Sequence, residues 1–150
     1  MSYDLSPTSS KPKPPATWKV GGVTIVSFVA LLWLIEGWDA LHQQRLNQDG
    51  IRPLESDGLW GILWAPLLHA DWAHLIGNTV PLLVLGCLVA VEGARRLWAV
   101  TAMAAVIGGI GTWLVNAPGT LTVGASGLVF GYFGYTVMRV FAPGRVAHRV

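Results

Sequence analysis

Four long apolar runs dominate the chain, the first set apart by a long loop and the others by short polar or charged breaks. The first covers residues 18–38, with an indole at each end, and Lys19 and Glu36 are its only charged side chains. At about 1.5 Å per residue this run reaches about 30 Å, the thickness of a bilayer core, and its terminal tryptophans suit the two interfaces. Further runs over residues 72–91, 97–115 and 123–141 are each long enough to cross. The pattern predicts an all-α fold, a polytopic membrane bundle of about four transmembrane helices. A cleaved signal peptide fits the first run poorly, because Glu36-Gly37-Trp38-Asp39 lacks the small-x-small cleavage pattern and the run is long for that purpose.

Two longer segments flank the first run. Residues 1–17 contain Ser-Ser-Lys-Pro-Lys-Pro-Pro and bury no apolar face, which predicts a flexible tail ahead of a membrane domain over residues 18–150. Residues 40–68 include Leu59, Trp60, Ile62, Leu63 and Trp64, so part of this loop is expected to lie laterally in the outer leaflet.

Composition supports the membrane reading and narrows the chemistry. Only 12% of the residues are charged and 53% are apolar, against about 25% charged in a soluble domain. The net charge of +2 is spread between apolar segments without a continuous basic stripe, which argues against nucleic acid as a partner. The basic residues read instead as topology signals. Lys11, Lys13 and Lys19 lie at the start of the first run, Arg95 and Arg96 separate the second and third, and Arg139, Arg145 and Arg149 end the fourth. By the positive-inside rule both termini are expected on the cytoplasmic side of a bacterial-type plasma membrane. The single cysteine, Cys87, has no disulfide or metal-ligand companion and is expected in packing.

Two polar constellations interrupt the apolar pattern. His74 and Asn78 are four apart at the start of the second run and so share one helix face. Polar groups at membrane depth are costly and mark functional candidates, with interhelical hydrogen bonding as the competing role. His69 lies one and a half turns earlier. Pro81 removes a backbone donor and frees the Gly77 carbonyl, which predicts a kink below the pair. The second constellation is Ser126 within Gly124-Ala125-Ser126-Gly127 at the head of the fourth run. Glycines on either side permit a tight turn, and a helix starting there would aim free N–H groups at the negative oxygen formed when serine attacks a carbonyl. Counting from Arg139, Ser126 would stand about 20 Å above the inner end and about 10 Å inside the outer surface. A packing role competes here too, since Gly127 and Gly131 form a small-xxx-small pair continued by Gly134. Neither constellation includes a third ligand for a metal, and serine acyl transfer requires no cofactor.

Taken together, His69-x4-His74-x3-Asn78, Val91-Glu92-Gly93-Ala94-Arg95 and Gly124-Ala125-Ser126-Gly127-Leu128-Val129-Phe130-Gly131 resemble the rhomboid family of intramembrane serine proteases. The resemblance covers about residues 58–141. It implies a serine endopeptidase that cleaves transmembrane protein substrates within the lipid bilayer. Ser126 would be the nucleophile, and its N–H with the side chains of His74 and Asn78 would form the oxyanion hole, while His69 matches a recurrent motif position. Where the family frequently carries Trp-Arg in the outer loop, this chain has Trp60-Gly61.

In that family a histidine on a sixth span acts as base, and a fifth span is thought to gate substrate entry. The histidines here are His42, His69, His74 and His148. His148 lies 22 residues past Ser126, about 33 Å along a continuous helix, beyond the reach of a general base. The chain is therefore expected to be the amino-terminal portion of such a protease and inactive alone, its later spans supplying base and gate. The alternative is a non-catalytic rhomboid-like protein that binds or escorts transmembrane segments. A small channel subunit fits the glycine-rich spans but lacks mid-membrane charge other than a possible His74.

Overall fold

The computed structural model describes residues 17–141. Most of the tail expected over residues 1–17, together with Lys11, Lys13, Arg145, His148 and Arg149, lies outside the described residues. Four long helices form a bundle: α1 (Thr17–Leu41), α3 (Trp72–Ala90), α4 (Ala94–Val115) and α5 (Ser126–Phe141), with the single-turn α2 (Gly61–Trp64) in the loop after α1. Helices α1, α3 and α4 are long and apolar enough to cross a membrane. Helix α5, with 16 residues, rises about 24 Å.

Three helix boundaries differ from the apolar runs, each for a physical reason visible in the structure. Helix α1 continues to Leu41 because the carboxylates of Glu36 and Asp39, both 1% exposed, accept hydrogen bonds from Gln44 and Leu46. Helix α4 begins at Ala94, just after Gly93 at φ +96°, so Arg95 and Arg96 fall in its first turn. Helix α5 begins at Ser126 and not at 123, because the preceding residues are bound to the outer loop. Ile51 and Thr122 exchange backbone hydrogen bonds of 2.9 and 3.0 Å, and Gly124 N–H donates to the Ala65 carbonyl at 2.8 Å.

The core is a column of side chains from all four long helices, including Ile25 and Leu32 of α1, Leu75 and Leu82 of α3, Val100 of α4 and Tyr132 of α5. Small residues set the helix spacing: Gly86 faces Ile25, and Gly131 faces the Ala104 methyl. Of the glycines expected to pack α5, Gly131 does so, whereas Gly127 and Gly134 have open space beside them among the described residues. Cys87, expected in packing, lies on the exposed side of α3. Helix α3 continues through Pro81.

The two ends of the bundle are chemically distinct. At one end Gly93 meets Thr17, and Glu92 pairs with Arg96 at 3.4 Å and with Arg139, while accepting a 2.8 Å hydrogen bond from Tyr135 Oη. The other end carries the loop over residues 42–71. There Ile62 of α2 seats on Gly109 of α4, while Leu59, Trp60, Leu63 and Trp64 remain exposed. The apolar set expected at the interface thus divides, with Ile62 buried against the bundle and the others facing outward.

Candidate active site at the start of two helices

The helices α3 and α5 both begin at this loop-bearing end, and their first turns meet. Asp71, in an extended conformation, caps α3: its Oδ1 accepts the His74 N–H at 2.8 Å. The cap satisfies one of the free donors of the first turn and fixes where the His74 side chain emerges. Asp71 was not among the sequence candidates, although the Asp-Trp-Ala-His order is a readable N-cap signal.

Gly124 turns the chain into α5 at φ +122°, a conformation that L side chains rarely adopt. Its bare Cα lets the His74 ring approach: a methyl group there would stand 2.5 Å from Cε1 and 2.6 Å from Nε2. The next residue, Ala125, is fully buried and donates its N–H to His69 Nε2 at 3.4 Å, while its carbonyl accepts from Leu128 and Val129. Ser126 then opens the helix. The N–H groups of Ser126 and Gly127 have no intrahelical acceptor by the geometry of a helix start, and they sit at the positive end of the helix dipole.

His69 and His74 touch, with ring centroids 5.3 Å apart and nearly perpendicular planes. His69 is 1% exposed. Burial, and after it the neighbouring His74, lower its imidazole from 6.5 to about 4, so at neutral pH the ring is uncharged. Because a backbone N–H can only donate, His69 Nε2 carries the lone pair and Nδ1 the proton. Asn78, also buried, lies one turn below His74 and donates from Nδ2 to the His74 carbonyl at 3.2 Å.

The structure therefore brings together His69, His74 and the 124–126 turn, with Asn78 one turn further along α3 and bonded to its own helix. Ser126 also lines a cavity of about 50 Å³ between α4, α5 and the outer loop, with Gly127, Ala105, Gly109 and Pro66 among its walls. Neither His74 nor Asn78 lines that cavity. His42 is engaged elsewhere, stacked on Trp38 at 3.9 Å with Nδ1 2.7 Å from the Trp38 carbonyl oxygen. Among the described residues no group of three His, Cys, Asp or Glu is arranged to hold a metal.

A bundle with three membrane-length helices and a serine at a glycine-turned helix start, beside two touching histidines, defines an integral membrane protein with a candidate acyl-transfer site. The family model of the Rhomboid domain matches residues 56–145, and the chain belongs to the rhomboid family. It is 49% identical over 138 residues to an uncharacterized protein of Mycobacterium tuberculosis, covering 89% of this chain and 57% of that protein. A Bacillus subtilis protein, provisionally named as a rhomboid protease, is 34% identical over 123 residues, covering 78% of this chain and 61% of the relative. The chloroplastic rhomboid-like protein 11 of Arabidopsis thaliana is 39% identical over 75 residues, covering 49% of this chain and 27% of the relative. The chain thus spans little more than half the length of the mycobacterial relative. No solved structure gives a significant match.

Proposed function

We propose that this chain carries the nucleophile and the oxyanion hole of an intramembrane serine endopeptidase acting on transmembrane protein substrates. The observation that carries the reading is the meeting of two helix starts at Gly124, which admits the His74 ring and leads directly into Ser126. In this mechanism Ser126 Oγ attacks the scissile carbonyl and forms a tetrahedral intermediate. The free N–H groups at the head of α5 and the side chains of His74 and Asn78 donate to its oxyanion, in a setting where preorganised donors act most strongly. Collapse expels the amine and leaves an acyl-enzyme, which water hydrolyses.

The base that takes the serine proton is assigned to a histidine other than His42, His69, His74 and His148. Among the described histidines, His42 is held at Trp38 and His69 Nε2 is occupied by Ala125 N–H. His74 cannot serve as oxyanion donor and base in the same step. The charged end, with Lys19, Arg95, Arg96 and Arg139, is assigned to the cytoplasm by the positive-inside rule, and the serine end to the opposite leaflet. The reading frame past Val150 tests the proposal. An apolar span carrying a histidine followed by small residues supports it, and a stop codon contradicts it in favour of a rhomboid-like protein that binds or escorts transmembrane segments.

A further inference from the structure

The buried side-chain polar atoms without a hydrogen-bond partner among the described residues are Glu36 Oε2, Asp39 Oδ2, Asn47 Oδ1 and His69 Nδ1. All four belong to one network at the loop-bearing end. Burying two carboxylates beside an apolar core costs free energy, so what they hold is informative. The Asp39 carbonyl accepts the N–H groups of His42 and Gln44, each at 2.9 Å, and its Oδ1 accepts Leu46 N–H at 2.8 Å. These bonds secure a turn in which Gln43 and Gln44 adopt φ of +63° and +57°. Glu36 Oε1 accepts the Gln44 amide at 3.1 Å, and Gln44 Oε1 accepts Asn47 Nδ2 at 2.9 Å. Asn47 Nδ2 also donates to the His69 carbonyl at 2.9 Å. Both protons of that amide are therefore committed, which fixes its orientation.

We propose that Asn47, oriented by Gln44 and Glu36, is a positioning residue for the Ser126 site: it anchors the His69 backbone so that the ring stays on Ala125 N–H and the start of α5 stays in register with α3. The role in catalysis rests on the serine reading above, but the coupling of Asn47 to the His69 ring does not. An anchored ring keeps its proton on Nδ1. Once the anchor is lost, the ring is free to leave Ala125 and exchange tautomers.

The test is ¹⁵N-histidine NMR in lipid nanodiscs of the protein expressed from its full reading frame, paired with the rate of Ser126 labelling by a fluorophosphonate. The wild type is expected to show His69 as a single Nδ1–H tautomer. Asn47→Ala is expected to show a tautomer mixture and labelling slowed about 10- to 100-fold. Glu36→Gln keeps an acceptor for the Gln44 amide and should stay within about twofold of wild type. Glu36→Leu fills similar space without an acceptor and should behave like Asn47→Ala; wild-type behaviour of this variant would mean that Glu36 only fills volume, and would overturn the proposal. Should Asn47→Ala fail to fold, Gln44→Ala removes the acceptor that orients the amide and must give the same tautomer change. Unchanged His69 resonances in a folded Asn47→Ala or Gln44→Ala protein overturn the inference. If the wild type is not labelled but the His69 spectrum responds, the serine reading fails while the coupling is upheld.

Discussion

The His74 ring rests on the bare Cα of Gly124, close enough that a methyl group there would stand 2.5 Å from its Cε1. Gly124→Ala meets both this contact and an unfavourable φ of +122°, so a loss of about 1–3 kcal/mol of stability is expected. In the protein expressed from its full reading frame, displacement of His74 should slow phosphonate labelling of Ser126 by at least about tenfold. Gly127→Ala is the control: among the described residues no neighbouring group lies within 4 Å of a methyl group at that position, so stability should stay the same or rise by about 0.5–1 kcal/mol. Unfolding in mixed detergent micelles compares the two, and equal stabilities would contradict the close-contact account.

A pH dependence follows from His69, whose imidazole is lowered from 6.5 to about 4 by burial and by His74. Between those values the unfolded chain binds a proton that the folded chain does not, so this contribution to stability is complete above about pH 6.5 and declines as pH falls toward 4. At about 1.4 kcal/mol per pH unit the decline approaches 3 kcal/mol. The check is the difference between wild type and His69→Gln in unfolding free energy at pH 7 and pH 4.5. The wild type should lose more stability on acidification, and parallel losses would contradict the assignment.

At the opposite end, Glu92 ties the α3–α4 turn to α5 through Arg139 and Tyr135 Oη, and pairs with Arg96 within α4. Its side chain is only 14% exposed, whereas both arginines reach solvent more freely. Glu92→Ala should therefore cost about 1–3 kcal/mol, mostly through the unsatisfied Tyr135 hydroxyl and the loss of the charged partner, and Tyr135→Phe about 1 kcal/mol. Similar small effects from both variants in an unfolding assay would show that the arginine pairs contribute little.

The helices were legible because about 20 consecutive apolar residues have one reading in a bilayer, and the rhomboid resemblance was legible in three short motifs. The helix ends were less so. Glu36 and Asp39 look like the polar boundary of a membrane run, yet remain helical because Gln44 and Leu46, several residues later, bond their carboxylates. The start of α5 depends on Ile51 pairing with Thr122, a contact that no local periodicity reveals. The same holds for the candidate site. The His74 and Asn78 spacing and the glycines around Ser126 could be read from sequence, as could the Asp71 cap. The bond from Asn47 to His69, 22 residues apart, could not, because it depends on how the loop folds back over the bundle.

The most direct measurement is peptide mass mapping of the protein expressed from its full reading frame, after reaction with a fluorophosphonate in lipid nanodiscs. The account expects a covalent adduct on Ser126 that disappears in Ser126→Ala, with the fold retained because Ser126 makes no side-chain hydrogen bond among the described residues. An adduct on a different residue, or undiminished labelling of the Ser126→Ala protein, would contradict it.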